Sequence, residues 1–275
     1  MASDRISQYI AQLPDASAAG SSLRRVGASR VAGRFLDCEL ASVFQPVFHP
    51  TGEVFGDTAL VRCHGKQAEG SAALQIFALA RSDGDLVRLD RLCRTVHAIN
   101  YFISAPVGRS LFLKVDPRLL VSVPDQHGRA FERVLTSLGV APSQVVIEIP
   151  ASTNGNPALV AHVVANYRFR GYRVAVHYAG DAGWLATLVH LRAEFVIVRF
   201  PEGFTLEVLR SIVASVHEVG ARVLATHLET AAAVATLRSA GVDLLQGFEL
   251  GGPRSELVNT LHLAQGPEFS QPATQ

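Results

Sequence analysis

The sequence predicts an α/β fold, a TIM-like (β/α)8 barrel that is opened by an antiparallel hairpin. Short runs of consecutive apolar residues recur along the chain, as in parallel strands whose two faces are both covered. Helical stretches separate these runs, and four of them end at a glycine suited to the left-handed end of a helix: Gly139, Gly171, Gly220 and Gly241. About seven or eight such units in roughly 230 residues match a barrel of this type.

The chain begins with an arm, residues 1–33, that we expect to be mobile or loosely docked, because Ala, Ser and Gly dominate its middle. Ile6, Ile10 and Leu13 recur at helical spacing in this arm and indicate a short amphipathic helix. Such a helix could dock on the barrel or on a partner, and we expect docking on the barrel.

The barrel is predicted over residues 34–265 and begins with two strands, at 44–48 and 54–61, which the turn-forming residues 49–52 separate. Apolar runs predict the remaining strands at 111–115, 145–149, 173–177, 195–199, 222–226 and 244–245. Residues 266–275 are polar and are expected to form a disordered tail.

The bounds of three of the helical stretches between these strands can be predicted. Apolar residues three and four apart predict a helix over 86–99. A capping Asn156 followed by Pro157 starts a second helix, which runs to residue 170. A third covers residues 205–219.

The composition excludes several classes of function. With 48% hydrophobic and 18% charged residues, the 275-residue chain can bury a large core. Lys and Arg number 25 against 24 Asp and Glu, so no overall basic charge favours direct binding of a nucleic acid or an anionic membrane. No apolar run approaches the roughly 20 residues of a membrane span, and the start lacks a secretory signal, which indicates a cytoplasmic protein.

The cysteines of the chain, Cys38, Cys63 and Cys93, are odd in number and lack CxxC spacing. This pattern argues against a disulfide framework and against a thiolate zinc site. We therefore expect buried or idle thiols.

In a barrel of this type, function lies at the C-terminal ends of the strands. The predicted ends carry, in chain order, Thr58, Lys114, Glu148, His177 with Tyr178, Ile197 to Arg199, Thr226 with His227, and Gln246. A two-metal phosphodiesterase needs several converging carboxylates. Here Glu148 alone offers one directly, which is unusual for such an enzyme.

Four segments carry a resemblance to a known family: Phe-Gln-Pro-Val at 44–47, the hairpin at 51–62, Val-Ile-Glu-Ile at 146–149, and Gln-Gly-Phe with a later proline at 246–253. Together they resemble the EAL domain of cyclic-di-GMP phosphodiesterases, from about residue 34 to residue 263. The resemblance implies a barrel opened by a hairpin, a role in bacterial signalling, and a pocket in which carboxylates hold two metal ions.

The chain departs from the family at the positions to which the resemblance assigns metal binding. Thr58 stands in place of the Glu of Glu-Ala-Leu, and Lys114 in place of a metal-ligating Asn. His177 and Tyr178 replace two metal-site aspartates. Thr226 replaces the first Glu of the Glu-Gly-Val-Glu motif.

The catalytic motif also differs. If one residue is deleted between the motifs, the family's catalytic lysine falls on Ile197 and its aspartate on Arg199. The family's residue is retained at three pocket positions, Glu148, Glu229 and Gln246, and at three positions that lie against the nucleotide in the family, Gln45, Leu60 and Arg62.

These changes predict a protein without a metal, a cofactor or a catalytic residue. Two hard divalent cations require oxygen anions, and one carboxylate beside the Lys114 ammonium does not supply them. Without a metal, the pKa of the attacking water stays near about 15.7 instead of about 7. We expect Lys114 to pair with Glu148 in place of the lost metal, with a phosphate contact or a solvated side chain as alternatives.

The other pocket residues receive simpler interpretations. His177 and His227 are expected to be hydrogen-bonded pocket residues rather than zinc or iron ligands. Tyr178 and Trp184 are expected to pack rather than to stack on a ligand.

The function expected from these residues is that of an inactive EAL-like regulatory protein that binds another protein, such as a transcription or motility factor. A cyclic-di-GMP receptor without turnover is the first alternative, because Gln45, Leu60 and Arg62 remain. A metal-dependent phosphodiesterase with an altered His/Glu site is the second. The resemblance leaves a homodimer open, although the loop at 180–184 is altered and shortened.

Overall fold

The structure, a computed structural model, describes residues 2–12, 22–27, 29–64, 73–122, 128–153, 155–178, 188, 190–200 and 205–259. Several predicted features lie outside these residues: Leu13, the Ala/Ser/Gly-rich middle of the arm, the loop at 180–184 with Trp184, and the tail at 266–275.

Eight strands close into a barrel, and two more precede it. The preceding strands are β1 (Leu23–Val26) and β2 (Arg30–Phe35). The barrel strands are β3 (Cys38–Phe48), β4 (Val54–His64), β5 (Ser110–Lys114), β6 (Val145–Ile149), β7 (Arg173–His177), β8 (Phe195–Arg199), β9 (Arg222–Thr226) and β10 (Leu244–Leu245).

The topology matches the predicted barrel. Each barrel strand pairs with the next, and β10 returns to β3. β3 runs antiparallel to both of its barrel neighbours, whereas the pairs from β4 to β10 are parallel. The prediction of a (β/α)8 barrel with an opening hairpin is therefore confirmed. The hairpin is longer than predicted, because its register continues from Phe48 opposite Val54 to Glu39 opposite His64.

Helices cover the outside of the barrel. They are α1 (Ala2–Ala11), α2 (Ala73–Ala78), α3 (Asp83–Phe102), α4 (Pro117–Ser122), α5 (Arg129–Leu138), α6 (Pro157–Phe169), α7 (Leu206–Glu218) and α8 (Ala231–Ala240). The Asn156 side chain accepts a hydrogen bond from the backbone N–H of Leu159, so the predicted start of α6 is confirmed. Within the described residues, no helix has the length and apolar character needed to cross a bilayer.

The described part of the arm packs on the barrel. Ile6 and Ile10 of α1 are 0% and 1% exposed, and α1 contacts α3 and α5. β2 pairs with the start of β3, and β1 pairs with β2. The boundary expected between residues 33 and 34 therefore falls inside β2, because the sheet continues across it.

Cys38 and Cys63 form a disulfide, so the prediction of free thiols is wrong for this pair. The antiparallel register places Leu40 opposite Cys63, and Cys38 lies two residues further along the same face of β3. The two Cα atoms are 5.5 Å apart, within the range that a disulfide spans. Cys93 is a free, buried cysteine, as expected.

The hydrophobic core has two parts. The larger lies between the strands and the surrounding helices. The smaller fills the barrel and consists of Val47, Phe112, Val146, Ala175, Phe195, Ile197, Leu224 and Leu244, with Phe55 packed against them. The smaller part sets the directions of the side chains at the barrel mouth.

Candidate functional site

The candidate site lies at the barrel mouth, at the C-terminal ends of the strands. Side chains alternate along each strand, so a residue two positions after an interior residue lies on the same face, at the mouth. Phe112 points into the barrel, so Lys114, two residues later on β5, lies on the same face. The same step leads from Val146 to Glu148 on β6. It also relates Ala175 to His177, Leu224 to Thr226, Leu244 to Gln246 and, on the antiparallel β3, Val47 to Gln45.

A pocket of about 90 Å³ opens at this mouth. Eight of the residues predicted for the site line it, together with three others. The lining residues are Gln45, Lys114, Glu148, His177, Ile197, Leu224, Thr226, His227, Gln246, Gly247 and Phe248. Ile197, also part of the barrel interior, contributes an apolar side chain to the lining.

Glu148 is held by a hydrogen-bonded network next to the pocket. The Thr58 hydroxyl donates to Glu148 Oε1 at 3.3 Å, and Gln246 Nε2 donates to Thr58 Oγ1 at 2.9 Å. Gln246 Nε2 also contacts the carbonyl oxygen of Gln45 at 3.2 Å. Burial raises the pKa of Glu148, although Lys114 and the Thr58 hydrogen bond oppose this shift.

Lys114 does not make the predicted contact ion pair with Glu148. Both residues are described, yet no ion pair within 4.0 Å joins them. Lys114 ends β5 with an exposed side chain, whereas Glu148 is 4% exposed. The ammonium therefore acts on the carboxylate at longer range, and Thr58 supplies the direct partner instead.

The two pocket histidines lie in a cationic environment. Burial, then Lys114 and His227, lower the pKa of His177 to about 4. Burial, Arg199 and Lys114 lower the pKa of His227, while Glu229 opposes them. His227 Nδ1 is 3.2 Å from Thr226 Oγ1, in agreement with a hydrogen-bonded pocket histidine.

Several predicted site residues lie away from the pocket lining. Thr58 is buried beside Glu148, and Glu229 is exposed next to His227. Tyr178 is partly buried against the outer core, which fits the packing interpretation. Leu60 and Arg62 follow Thr58 on the same face of β4, along the part of the hairpin that continues beyond the barrel.

Two pocket residues carry signals that sequence reasoning left unused. Phe248 is 69% exposed at the pocket, and only its position after Gln246 and Gly247 pointed to it. Gly247 permits the close approach of two loops, because a Cβ there would lie 2.1 Å from the carbonyl oxygen of Leu228. A conformational demand of this kind cannot be recognised in a single sequence.

The family model of the EAL domain matches residues 29–253, most of the chain. The chain belongs to the EAL domain family. No curated protein sequence matches it. The beginning of the match at residue 29 agrees with the inclusion of β2 in the sheet.

Solved structures of EAL proteins share the fold. Klebsiella pneumoniae BlrP1, in a calcium and cyclic-di-GMP complex at pH 8.0, is 23% identical with a TM-score of 0.68. Bacillus subtilis YkuI, in complex with cyclic-di-GMP and calcium, is 21% identical with a TM-score of 0.68. Both alignments cover 80% of this chain, which spans 57% of the length of those proteins. The FimX EAL domain of Pseudomonas aeruginosa, bound to cyclic-di-GMP, is 18% identical, with 80% and 93% coverage and a TM-score of 0.67.

The pocket of this EAL domain does not fit a pair of hard divalent cations. Such ions need several oxygen anions, and among the lining residues Glu148 is the carboxylate. The Lys114 ammonium and two imidazoles share the pocket with it. Within the described residues, no three His, Cys, Asp or Glu side chains are grouped so as to hold a metal ion.

Proposed function

We propose that this EAL domain protein is a regulator in cyclic-di-GMP signalling that does not hydrolyse the dinucleotide and acts by binding another protein. The observation that carries the proposal is the content of the pocket: one buried carboxylate, Glu148, together with the ammonium of Lys114. Hydrolysis of a phosphodiester near neutral pH requires a metal-activated water, and this pocket offers no donor set for the metal.

Exposed apolar side chains on the protein surface support the regulatory part of the proposal. A protein that does not turn over its ligand must pass on its signal through contacts. The described surface exposes large apolar side chains, among them Phe248 at 69% and Leu36 at 62%. We propose that the partner is a protein such as a transcription or motility factor, and that the protein acts in the cytoplasm of a bacterial cell.

The hydrolysis part is tested by incubating the purified protein with cyclic-di-GMP and Mg²⁺ or Mn²⁺, followed by chromatography for the linear dinucleotide. We expect no product. Product formation that Glu148→Ala abolishes would establish a phosphodiesterase with an altered site. The partner is tested by affinity purification from the native cell, followed by reconstitution of the complex from purified components without cyclic-di-GMP.

A cyclic-di-GMP receptor without turnover is the second candidate. Gln45 lines the pocket, and Leu60 and Arg62 extend along the hairpin on the face of Thr58, where a dinucleotide could lie across the mouth. The Arg62 guanidinium could pair with a phosphate. Calorimetric titration with cyclic-di-GMP separates the two candidates, since micromolar or tighter binding that Arg62→Ala weakens would favour the receptor.

A further inference from the structure

Two cations at the barrel mouth have no partner among the described residues. Lys114 ends β5 and Arg199 ends β8, and both side chains are exposed. No ion pair or side-chain hydrogen bond links either of them to another described residue. Arg173 of the neighbouring β7, by contrast, pairs with Glu194 at 2.7 Å. Lys114 lines the pocket, and Arg199 follows the lining residue Ile197 by two positions on the same face of β8, at the rim of the mouth. Unpaired cations at one mouth attract an anion.

His227 directly follows the end of β9 and lines the same pocket as Lys114. Lys114 and Arg199 each lower its pKa, which places His227 inside the field of both charges. Its backbone has a φ of 65°, a left-handed conformation that is uncommon for a residue other than glycine. Such conformations occur preferentially at binding sites, where the surrounding structure holds them in place.

Two carboxylates, Glu148 and Glu229, lie near these cations, but neither forms an ion pair with them among the described residues. Glu148 accepts the hydrogen bond from Thr58 and is 4% exposed. Glu229 is exposed beside His227. Gln45, Thr226 and Gln246 also line the pocket and carry hydrogen-bonding groups.

The volume of the pocket limits the size of the anion that can bind. The pocket measures about 90 Å³, well below the roughly 300–1,000 Å³ of sites that enclose a drug-sized ligand. A phosphate group fits a space of this size, and its oxygens match lysine, arginine and imidazole donors.

We propose that the pocket binds a small oxyanion, a phosphate group carried either by inorganic phosphate or by a phosphate monoester, between Lys114, Arg199 and His227. The position once suited to cations in the family thereby becomes an anion site. The proposal does not rest on the proposed function, because it requires neither a protein partner nor the dinucleotide.

The experiment is calorimetric titration of the full chain with potassium phosphate and, separately, with adenosine monophosphate, at neutral pH and low ionic strength. We expect both to bind. If inorganic phosphate and adenosine monophosphate bind with equal affinity, the site is one for free phosphate. If adenosine monophosphate binds more tightly, the site is one for a phosphate monoester. Lys114→Met and Arg199→Met should each weaken binding by about tenfold or more, because each removes a charge-assisted hydrogen bond.

Two further variants sharpen the test. Arg88→Met removes an arginine that is 75% exposed on α3 and should leave the affinity unchanged. Glu148→Gln removes a negative charge and should leave binding equal or tighter. Absence of binding at millimolar phosphate or nucleotide, affinity unchanged by both cation variants, or weaker binding by Glu148→Gln would overturn the proposal. None of these results bears on hydrolysis, which is measured with the dinucleotide itself.

Discussion

The hydroxyl of Thr58 donates a 3.3 Å hydrogen bond to Glu148 Oε1, from β4 across β5 to β6. Both residues are buried, with exposures of 1% and 4%. A buried carboxylate is stable only when it has partners of this kind, and the hydroxyl supplies one without adding a second negative charge.

Thr58→Glu would place a second carboxylate beside Glu148. We expect the free energy of unfolding at pH 8 to fall by roughly 2–4 kcal/mol, because two buried like charges repel each other and lose hydration. The loss should shrink towards pH 5, where one carboxyl can take up a proton. Urea unfolding at the two pH values measures it, and Thr58→Gln controls for side-chain size. A stability loss of equal size at pH 8 and pH 5 would contradict this account.

Asp57 lies on the outer face of β4 and is 1% exposed. The Tyr101 hydroxyl donates to Asp57 Oδ2 at 3.0 Å, and Arg109 Nη1 is 3.9 Å from the same oxygen. Burial raises the pKa of Asp57 to about 6, although Tyr101 and Arg109 oppose this shift. The folded protein thus holds this proton over a range in which the unfolded chain, with a pKa of 3.8, has lost it.

This pKa makes stability depend on pH. Because the folded state binds more protons, the free energy of unfolding should fall as pH rises from about 4 to about 6 and then level off. The contribution of Asp57 to that fall is on the order of 3 kcal/mol. Asp57→Asn should flatten the profile obtained from urea unfolding, whereas Glu53→Gln, at an exposed carboxylate, should keep it. Equal slopes in the wild type and Asp57→Asn would be inconsistent with a buried, protonated Asp57.

Cys38 and Cys63 join the two strands of the hairpin over a sequence separation of 25 residues. Closing a loop of this length stabilises the folded chain by about 3 kcal/mol through the unfolded state. The double variant Cys38→Ala/Cys63→Ala should therefore be less stable than the oxidised protein by this amount in urea unfolding. Reductant should remove most of the difference. Titration of thiols in the denatured, unreduced protein should find one, Cys93, and a count of three would contradict the bond.

Glu194 pairs with Arg173 and Arg222, whose guanidinium groups lie over the ring of Phe195. Burial raises the pKa of Glu194, but the hydrogen bonds and charges of the two arginines lower it overall. The pairing therefore stabilises the fold above the unfolded-state pKa, and this stabilisation is lost as pH falls through the lower folded-state pKa.

Glu194→Gln should cost about 1 kcal/mol at pH 7, a value reduced by solvent because the Glu194 side chain is 39% exposed. At pH 3 the variant and the wild type should converge. Chemical unfolding at both pH values measures this, with Glu207→Gln, on α7, as the control. A difference that persists at pH 3 would show that the charge of Glu194 is not the cause.

Local patterns predicted the barrel because apolar runs, helix caps and glycines are short-range signals. The start of α6 at Asn156 and Pro157 is one example. Contacts that depend on register or side-chain direction were beyond such reasoning. The Cys38–Cys63 bond depends on the pairing of β3 with β4, and the exposure of Lys114 at the end of β5 depends on the direction of its side chain.

In the candidate site, too, some features could be predicted from the sequence and others depend on contacts between strands. Alternation along the strands brings Lys114, Glu148 and His177 to one pocket, as their positions at strand ends predict. Arg199 and Phe248 gain their importance from neighbours on other strands and loops, which a linear sequence does not display.

The two-residue step between the barrel interior and its mouth has an evolutionary consequence. The side chains that hold the barrel together lie one layer below those that meet a ligand, as with Phe112 beneath Lys114. Substitution in the upper layer can reverse the charge of the mouth while the lower layer keeps the architecture. The chemistry of the mouth and the stability of the scaffold can therefore change independently.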